Sequence, residues 1–145
     1  MNEAQVTSQL LSFLREKLRG LIIKHSDLST IGVPDFSVTS GGLTQWVEVK
    51  LVKFKRPKLF DLRKIVDFGK PQSRTMGLLD LHGRSYYIIF LTDSEQWWTY
   101  VNSGVSVASA CRENLLLDLT KHCSNLKDFE TLLRVLKLHM KEDRL

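Results

Sequence analysis

Apolar and polar positions recur along this chain with two different periods, and the change from one to the other marks out its elements. From residue 2 to about residue 24, Val6, Leu10, Phe13, Leu14, Leu18 and Leu21 recur at steps of three and four, the stripe of an amphipathic helix. Asn2 suits the N-cap, with Gln5 three residues on as its reciprocal partner, although residues 21–24 also fit a strand. Residues 25–31 are polar and turn-like. From there to residue 51 the period drops to two. The runs 34–39 and 44–51 are rich in β-branched and aromatic residues, and Gly41 and Gly42 lie between them. Gly-Gly serves a two-residue hairpin turn because both residues can take positive φ. Counting outward from that turn sets Ser40 opposite Leu43, Thr39 opposite Thr44 and Asp35 opposite Glu48. Alternation then gives two faces. Phe36, Val38, Val47, Val49 and Leu51 make an apolar face fit to receive the first helix, with Gln45 the exception. Asp35, Ser37, Trp46, Glu48 and Lys50 share the other, which is expected to be exposed.

The remaining pattern completes an α/β chain. Residues 71–81 read as a short helix, with Pro71 in its first turn and Gly83 as the C′ residue. The near-continuous apolar run 85–91 predicts a central strand, and 97–101 predicts another in the same sheet. The tandem Trp97 and Trp98 could stack bases, but packing in the core or in a dimer interface is the preferred reading. Residues 102–120 show no clear period, with a short helix expected at 113–119. From 125 to about 141, Leu126, Phe129, Leu132, Leu133, Leu136 and Met140 form a second amphipathic stripe, with Asn125 as its N-cap. The expected organisation is one domain over residues 1–145: a core at 1–101, a basic insertion at 51–70 and a C-terminal extension at 102–145.

Composition narrows the class. A chain of 145 residues, 43% hydrophobic and 26% charged, suits one ordinary globular domain. No apolar run is long enough to span a bilayer, and the N-terminus is not expected to be a signal peptide. Cys111 and Cys123 are too few for a disulfide framework, so free thiols in a reducing cytoplasm are expected. With His25, His82, His122 and His139 they show no zinc spacing. Charge changes the picture more. Lys53, Lys55, Arg56, Lys58, Arg63, Lys64, Lys70 and Arg74 face only Asp61 and Asp67 across residues 53–74, a surplus of six within a net charge of +5. Apolar residues interleave with this run, so it predicts an ordered, polyanion-binding surface beside the hairpin.

The hairpin carries the candidate chemistry. Two directly opposed carboxylates repel each other. Lys50 offsets them in part on a solvated face; a divalent cation resolves the conflict better. Mg²⁺ or Mn²⁺ prefers hard oxygen ligands, which Asp35, Glu48 and the backbone carbonyl of Val49 can supply. Such a metal activates water and neutralises charge growing on a phosphate, and Lys50 can orient that water or stabilise the charge. This set points to metal-dependent phosphodiester cleavage. For Glu3 two readings stand together: a first-turn acid favoured by the helix dipole, or a metal ligand beside the apolar stripe.

Pro34-Asp35 and Glu48-Val49-Lys50, on two apolar strands after a helix, resemble the PD-(D/E)XK nuclease superfamily. Within it the chain looks most like the virus-type replication-repair nuclease (VRR-Nuc) group, which joins a G-x-P-D string to E-V-K and then places a glutamine on the next helix and a glycine before a strand. Here these are Gly32-Val33-Pro34-Asp35, Glu48-Val49-Lys50, Gln72 and Gly83. The resemblance covers residues 1 to about 101. It implies a restriction-endonuclease-like αβββαβ core, a mixed central sheet flanked by helices, with a C-terminal helical extension. It also implies Glu3 as a further metal ligand, Gln72 as a catalytic residue, a Mg²⁺-dependent DNA endonuclease selective for branched or junction DNA, and a homodimer related to Holliday-junction resolvases, in the cytoplasm of a bacterium or a virus-infected host. No small-molecule cofactor and no membrane partner are expected. The rival is a DNA-binding member of the fold that no longer cleaves. The stretch between Lys50 and Gln72 is longer than the group's usual connection, and the last forty-odd residues have no counterpart in it.

Overall fold

In the computed structural model, which describes residues 1–25, 32–56 and 59–140, the first helix is shorter than its stripe suggests. Helix α1 spans Glu3–Lys17 and starts with the expected capping box between Asn2 and Gln5. Leu18 caps it in an extended conformation, and Leu21–Lys24 forms strand β1. The spacing of Leu21 fits the helical stripe, yet its side chain is 60% exposed. Three apolar residues in a row suit pairing on a sheet edge, and β1 takes it, with Ile22 opposite Val38.

Strands β2 (Phe36–Ser40) and β3 (Leu43–Lys53) form the predicted hairpin. Its register is Ser40 to Leu43, Thr39 to Thr44 and Phe36 to Val47. Gly41 and Gly42 both adopt positive φ, 58° and 80°, as the two-residue turn demands. Beyond β3 the basic stretch folds into a short strand β4 (Leu59–Asp61) and one helical turn α2 (Leu62–Ile65). Helix α3 (Pro71–His82) follows, with Pro71 in its first turn. Gly83 closes it with φ −170°, an extended rather than a left-handed residue.

Strands β5 (Arg84–Thr92) and β6 (Trp97–Ser103) complete a five-stranded sheet in the order β1-β2-β3-β5-β6. β5 runs parallel to β3 and the other pairs are antiparallel, so the sheet is mixed. The parallel step needs a crossover, which residues 54–83 provide. Eight of the nine residues of β5 are buried, the mark of a strand covered on both faces.

The C-terminal part departs from expectation twice. The helix lies at Gly104–Arg112 (α4), not at 113–119. Ser103 caps it, and Val107 and Cys111, four apart, are its buried contacts; small residues elsewhere hide the period. Residues expected to be helical form strand β7 (Leu116–Asp118), antiparallel to β4, followed by a turn of helix α5 (Leu119–His122). The last helix, α6, spans Glu130–Leu138, so Asn125 is not its cap. Residues 124–128 are instead tied to β6: Ser124 bridges Thr99, the Thr99 hydroxyl donates to the Leu126 carbonyl, and Asp128 N–H donates to Thr99 Oγ1. That tether prevents a helical start at 125 and leaves Leu126 54% exposed. Asp128 then accepts the Thr131 N–H, and the helix ends at Leu138 with His139 as its cap, short of the expected end near Lys141, a residue that lies outside those described.

Two apolar layers sandwich the sheet. One joins α1 and α6 to Phe36, Val38, Val47, Val49, Tyr86, Ile88 and Phe90. Gln45 is the polar residue on that face, and its amide donates to the Leu136 carbonyl at 3.0 Å. The other layer sets Leu62, Val66, Met76, Val107 and Cys111 against Tyr87, Ile89 and Leu91. Both cysteines are free. Among the described residues no helix is long and apolar enough to cross a membrane.

Candidate active site

β2 begins at Phe36, whereas β3 continues to Lys53. Among the described residues no strand pairs with the β2-side edge of β3 beyond Val47, and its backbone donors need other partners. Two carboxylates supply them. Asp35 Oδ2 accepts the Val49 N–H at 2.8 Å, and Glu3 Oε2 accepts the Leu51 N–H at 3.0 Å. The site forms where the hairpin strands part, with Asp35 just before β2 and its own N–H donating to Glu48 Oε1 at 3.2 Å.

The second half of the site stands on the face of β3 away from α1. Glu48 and Lys50 stand one pleat apart, with Lys50 Nζ 3.3 Å from Glu48 Oε2. Lys50 Nζ also donates to Gln72 Oε1 at 2.9 Å. Gln72 sits in the first turn of α3, so that helix reaches back over the hairpin. Gly32 explains how it comes so close. Its φ is +88°, and a Cβ there would lie 2.9 Å from Thr75 Oγ1 and 3.2 Å from the Pro71 carbonyl oxygen. A side chain at position 32 would push the Asp35 loop off the start of α3.

One expectation is overturned: the charged face of the hairpin is not open to solvent. Glu48 is only 2% exposed, while Asp35, Lys50 and Gln72 are half-buried. The basic stretch and helices α2, α3 and α4 cover this face with a second apolar layer, which no strand period discloses. Burial first, and then the Asp35 carboxylate, push the Glu48 acid up to about 9, against the pull of the Lys50 ammonium. Tyr87, the β5 partner of Glu48 in register, is also buried, and its hydroxyl has no hydrogen-bond partner among the described residues. Burial and, next, the Glu48 charge raise it.

Asp35, Glu48, Lys50 and Gln72 are thus brought together. Glu3 lies along the same edge but two residues further on, about 7 Å by the rise of a strand. Among the described residues no three of His, Cys, Asp and Glu gather as a ready metal cluster. The donors that meet are two carboxylates of hard oxygen type, one of them buried and uncompensated by charge except through Lys50. That set fits a divalent cation in chemistry.

Of the basic residues, Lys53, Lys55, Arg56, Lys64, Lys70 and Arg74 are exposed. Arg63 pairs with Asp61 at 3.3 Å, and Lys58 lies outside the described residues. His25, which sequence alone leaves as an ordinary residue, borders the site. Its backbone N–H donates to the Asp35 backbone carbonyl at 2.8 Å, its ring stacks on Trp46 with centroids 5.2 Å apart, and Nε2 meets Ser37 Oγ at 2.9 Å. The signal available in sequence was that Ser37 and Trp46 share the Asp35 face.

No protein-family model and no curated protein sequence matches the chain. Among solved structures it is similar to Hjc, a Holliday junction resolvase from the archaeal hyperthermophile Archaeoglobus fulgidus, with a TM-score of 0.51 at 15% identity over 90% of this chain and 98% of that one. The likeness bears on architecture: this chain has a restriction-endonuclease-like fold, a mixed central sheet flanked by helices and followed by a C-terminal helix.

Proposed function

We propose that this chain is a Mg²⁺- or Mn²⁺-dependent endonuclease that hydrolyses phosphodiester bonds in DNA, selective for branched or junction substrates. The observation that carries the reading is the convergence of Asp35, Glu48, Lys50 and Gln72 at the point where the hairpin strands part. The fold supports it, since the structure it resembles is that of a Holliday junction resolvase. Asp35, Glu48 and the Val49 carbonyl would hold the metal; in a strand a residue's N–H and C=O face the same edge, and the Val49 N–H faces Asp35. Bound there, the metal would lower the pKa of a water and neutralise charge on the phosphate. Glu3 would join through a water or on substrate binding. Membership of the VRR-Nuc group and homodimer assembly belong to the same proposal and rest on the Gly32-to-Asp35, Glu48-to-Lys50 and Gln72 strings.

The chain's own residues have separable tasks. Lys50, held between Glu48 and Gln72, presents its ammonium where a phosphate oxygen would gain charge. Gln72 fixes that ammonium, which otherwise turns freely on a four-carbon stem. Gln72→Ala is therefore expected to reduce cleavage by about 10–100-fold, the usual loss when a supporting partner is removed, with little change in DNA affinity. An equal loss in affinity would make Gln72 a DNA contact instead.

The exposed basic residues would track the phosphate backbone. With about six such contacts, affinity should fall by about a thousandfold between low and physiological salt, measured with EDTA present to prevent turnover. A flat salt profile would exclude this surface. The deciding test of function is a panel of four-way junction, fork, duplex and single-stranded DNA, with Mg²⁺ or with EDTA. Salt-dependent binding with no cleavage in Mg²⁺, or in Mn²⁺ in its place, would leave the non-cleaving DNA-binding reading.

A further inference from the structure

The tandem tryptophans point to opposite faces of the sheet. Trp97 packs on the α1 and α6 side, against Phe90 with ring centroids 6.5 Å apart and beneath Lys127 at 5.2 Å. Trp98 faces the side that bears Glu48 and Lys50 and borders the second apolar layer. It is half-buried and lines an open pocket of about 350 Å³, within the range of about 300–1,000 Å³ common for ligand sites.

The pocket is built from the catalytic strand's own continuation. Glu48, Lys50, Val52 and Phe54 alternate onto one face, and the Phe54 N–H donates to the Thr92 carbonyl at 3.0 Å. Phe54 stands four residues beyond Lys50, about 13 Å along the strand. Its ring meets Trp98 at 5.6 Å and Phe60 at 4.9 Å, which holds both aromatics in place. Lys55 and Arg56 follow at the rim, exposed and in no ion pair among the described residues. The rim amides are Gln96 and Asn125, both exposed. The lining acid, Asp93, accepts the N–H groups of Glu95 and Gln96 on its Oδ1 at 2.9 and 2.7 Å; it stays anionic, which restricts a phosphate to the Lys55 and Arg56 side of the pocket.

An aromatic wall, two exposed cations and two amides match the three parts of a nucleotide: a base face, a phosphate and a polar base edge. In duplex DNA the base faces are stacked and closed to a side chain. We propose that this pocket takes an unpaired nucleotide of a DNA strand, its base against Trp98 and its phosphate against Lys55 and Arg56. It rests on the nuclease reading for the class of ligand, and it gives that reading a physical basis for preferring forks and junctions over plain duplex.

The test uses the full chain with EDTA and two fluorescent probes, a blunt duplex and the same duplex with one unpaired arm, compared by anisotropy. The parent protein is expected to prefer the armed probe by about tenfold, the order of one base stacked on an aromatic ring. Trp98→Leu should remove that preference and leave blunt-duplex affinity unchanged, while Trp98→Phe should keep most of it. A 2-aminopurine in the arm should be quenched on binding to the parent and not to Trp98→Leu. Because Trp98 also packs on Phe54, Arg56→Gln provides a variant at an exposed position, expected to weaken the armed probe more than the blunt one. Equal loss on both probes, or an unchanged preference in Trp98→Leu and Arg56→Gln, would overturn the pocket. Cleavage by the parent with Mg²⁺ is scored separately. An arm preference that depends on Trp98 without any cleavage supports the pocket and removes the nuclease reading, whereas cleavage with no dependence on Trp98 removes the pocket alone.

Discussion

Asp35→Asn is expected to lower Mg²⁺-dependent cleavage of junction DNA by about a thousandfold, the order lost when charge acting on a transition state is removed. Asparagine is the informative substitution because its carbonyl oxygen can still accept the Val49 N–H that Asp35 now takes at 2.8 Å. The fold at the strand edge is kept while one of the two carboxylates proposed to hold the metal is lost. Melting within a few degrees of the parent would establish that the effect lies in chemistry, and DNA affinity in EDTA should be unchanged or slightly improved, since one negative charge near the phosphate is gone. Lys50→Ala should be comparably inactive, for it leaves Gln72 and Glu48 without their shared cation. Full activity in Asp35→Asn would remove the site assignment altogether.

Without divalent metal, the fold is expected to lose stability as pH rises from about 5 to about 9. Burial and the Asp35 carboxylate push folded Glu48 up to about 9, whereas in the unfolded chain it returns to its ordinary 4.5. Between those values the folded form keeps a proton that the unfolded form releases, so stability falls with rising pH. The contribution is complete below about 4.5 and lost as pH climbs through the folded value. At about 1.4 kcal/mol per pH unit the sum is several kcal/mol, and with Glu48 only 2% exposed solvent screens little of it. Glu48→Gln should flatten the profile and exceed the parent's stability at the alkaline end. Added Mg²⁺ should stabilise the parent there and not the variant. Denaturant unfolding across the pH range checks both; parallel profiles for the two proteins would mean that Glu48 is not the group responsible.

The hairpin was legible because its information is local. Gly41 and Gly42 fix the turn, alternation fixes the faces, and counting from one to the other places Asp35 beside Glu48, as the hydrogen bond between them bears out. The first helix was legible at its start, where Asn2 and Gln5 cap it, and not at its end, where Leu21 fits both a helical stripe and a strand. What stayed hidden depends on pairing across long stretches of chain. Strand β7 is three residues whose partner, β4, lies more than fifty positions earlier. The buried state of Glu48 arises from residues 59–112 folding over its face, and an alternating pattern on one strand carries no record of that cover. The Lys50–Gln72 contact spans 22 positions; the sequence places the glutamine in the first turn of a helix, but its catalytic role comes only from resemblance to a family, and Gly32, which lets α3 approach, has a role that only packing discloses.

The stretch of β3 that outruns β2 has a further meaning for how the protein is handled. An uncovered strand edge is a template for another strand, and unpaired backbone groups there invite intermolecular pairing and aggregation. Here Asp35 and Glu3 close two of those donors and set negative charge along the edge. The same carboxylates thus guard the chain against its own copies. Alanine at both positions would leave the Val49 and Leu51 N–H groups open together, so a doubly substituted protein should precipitate at concentrations where Asp35→Asn remains monodisperse by light scattering.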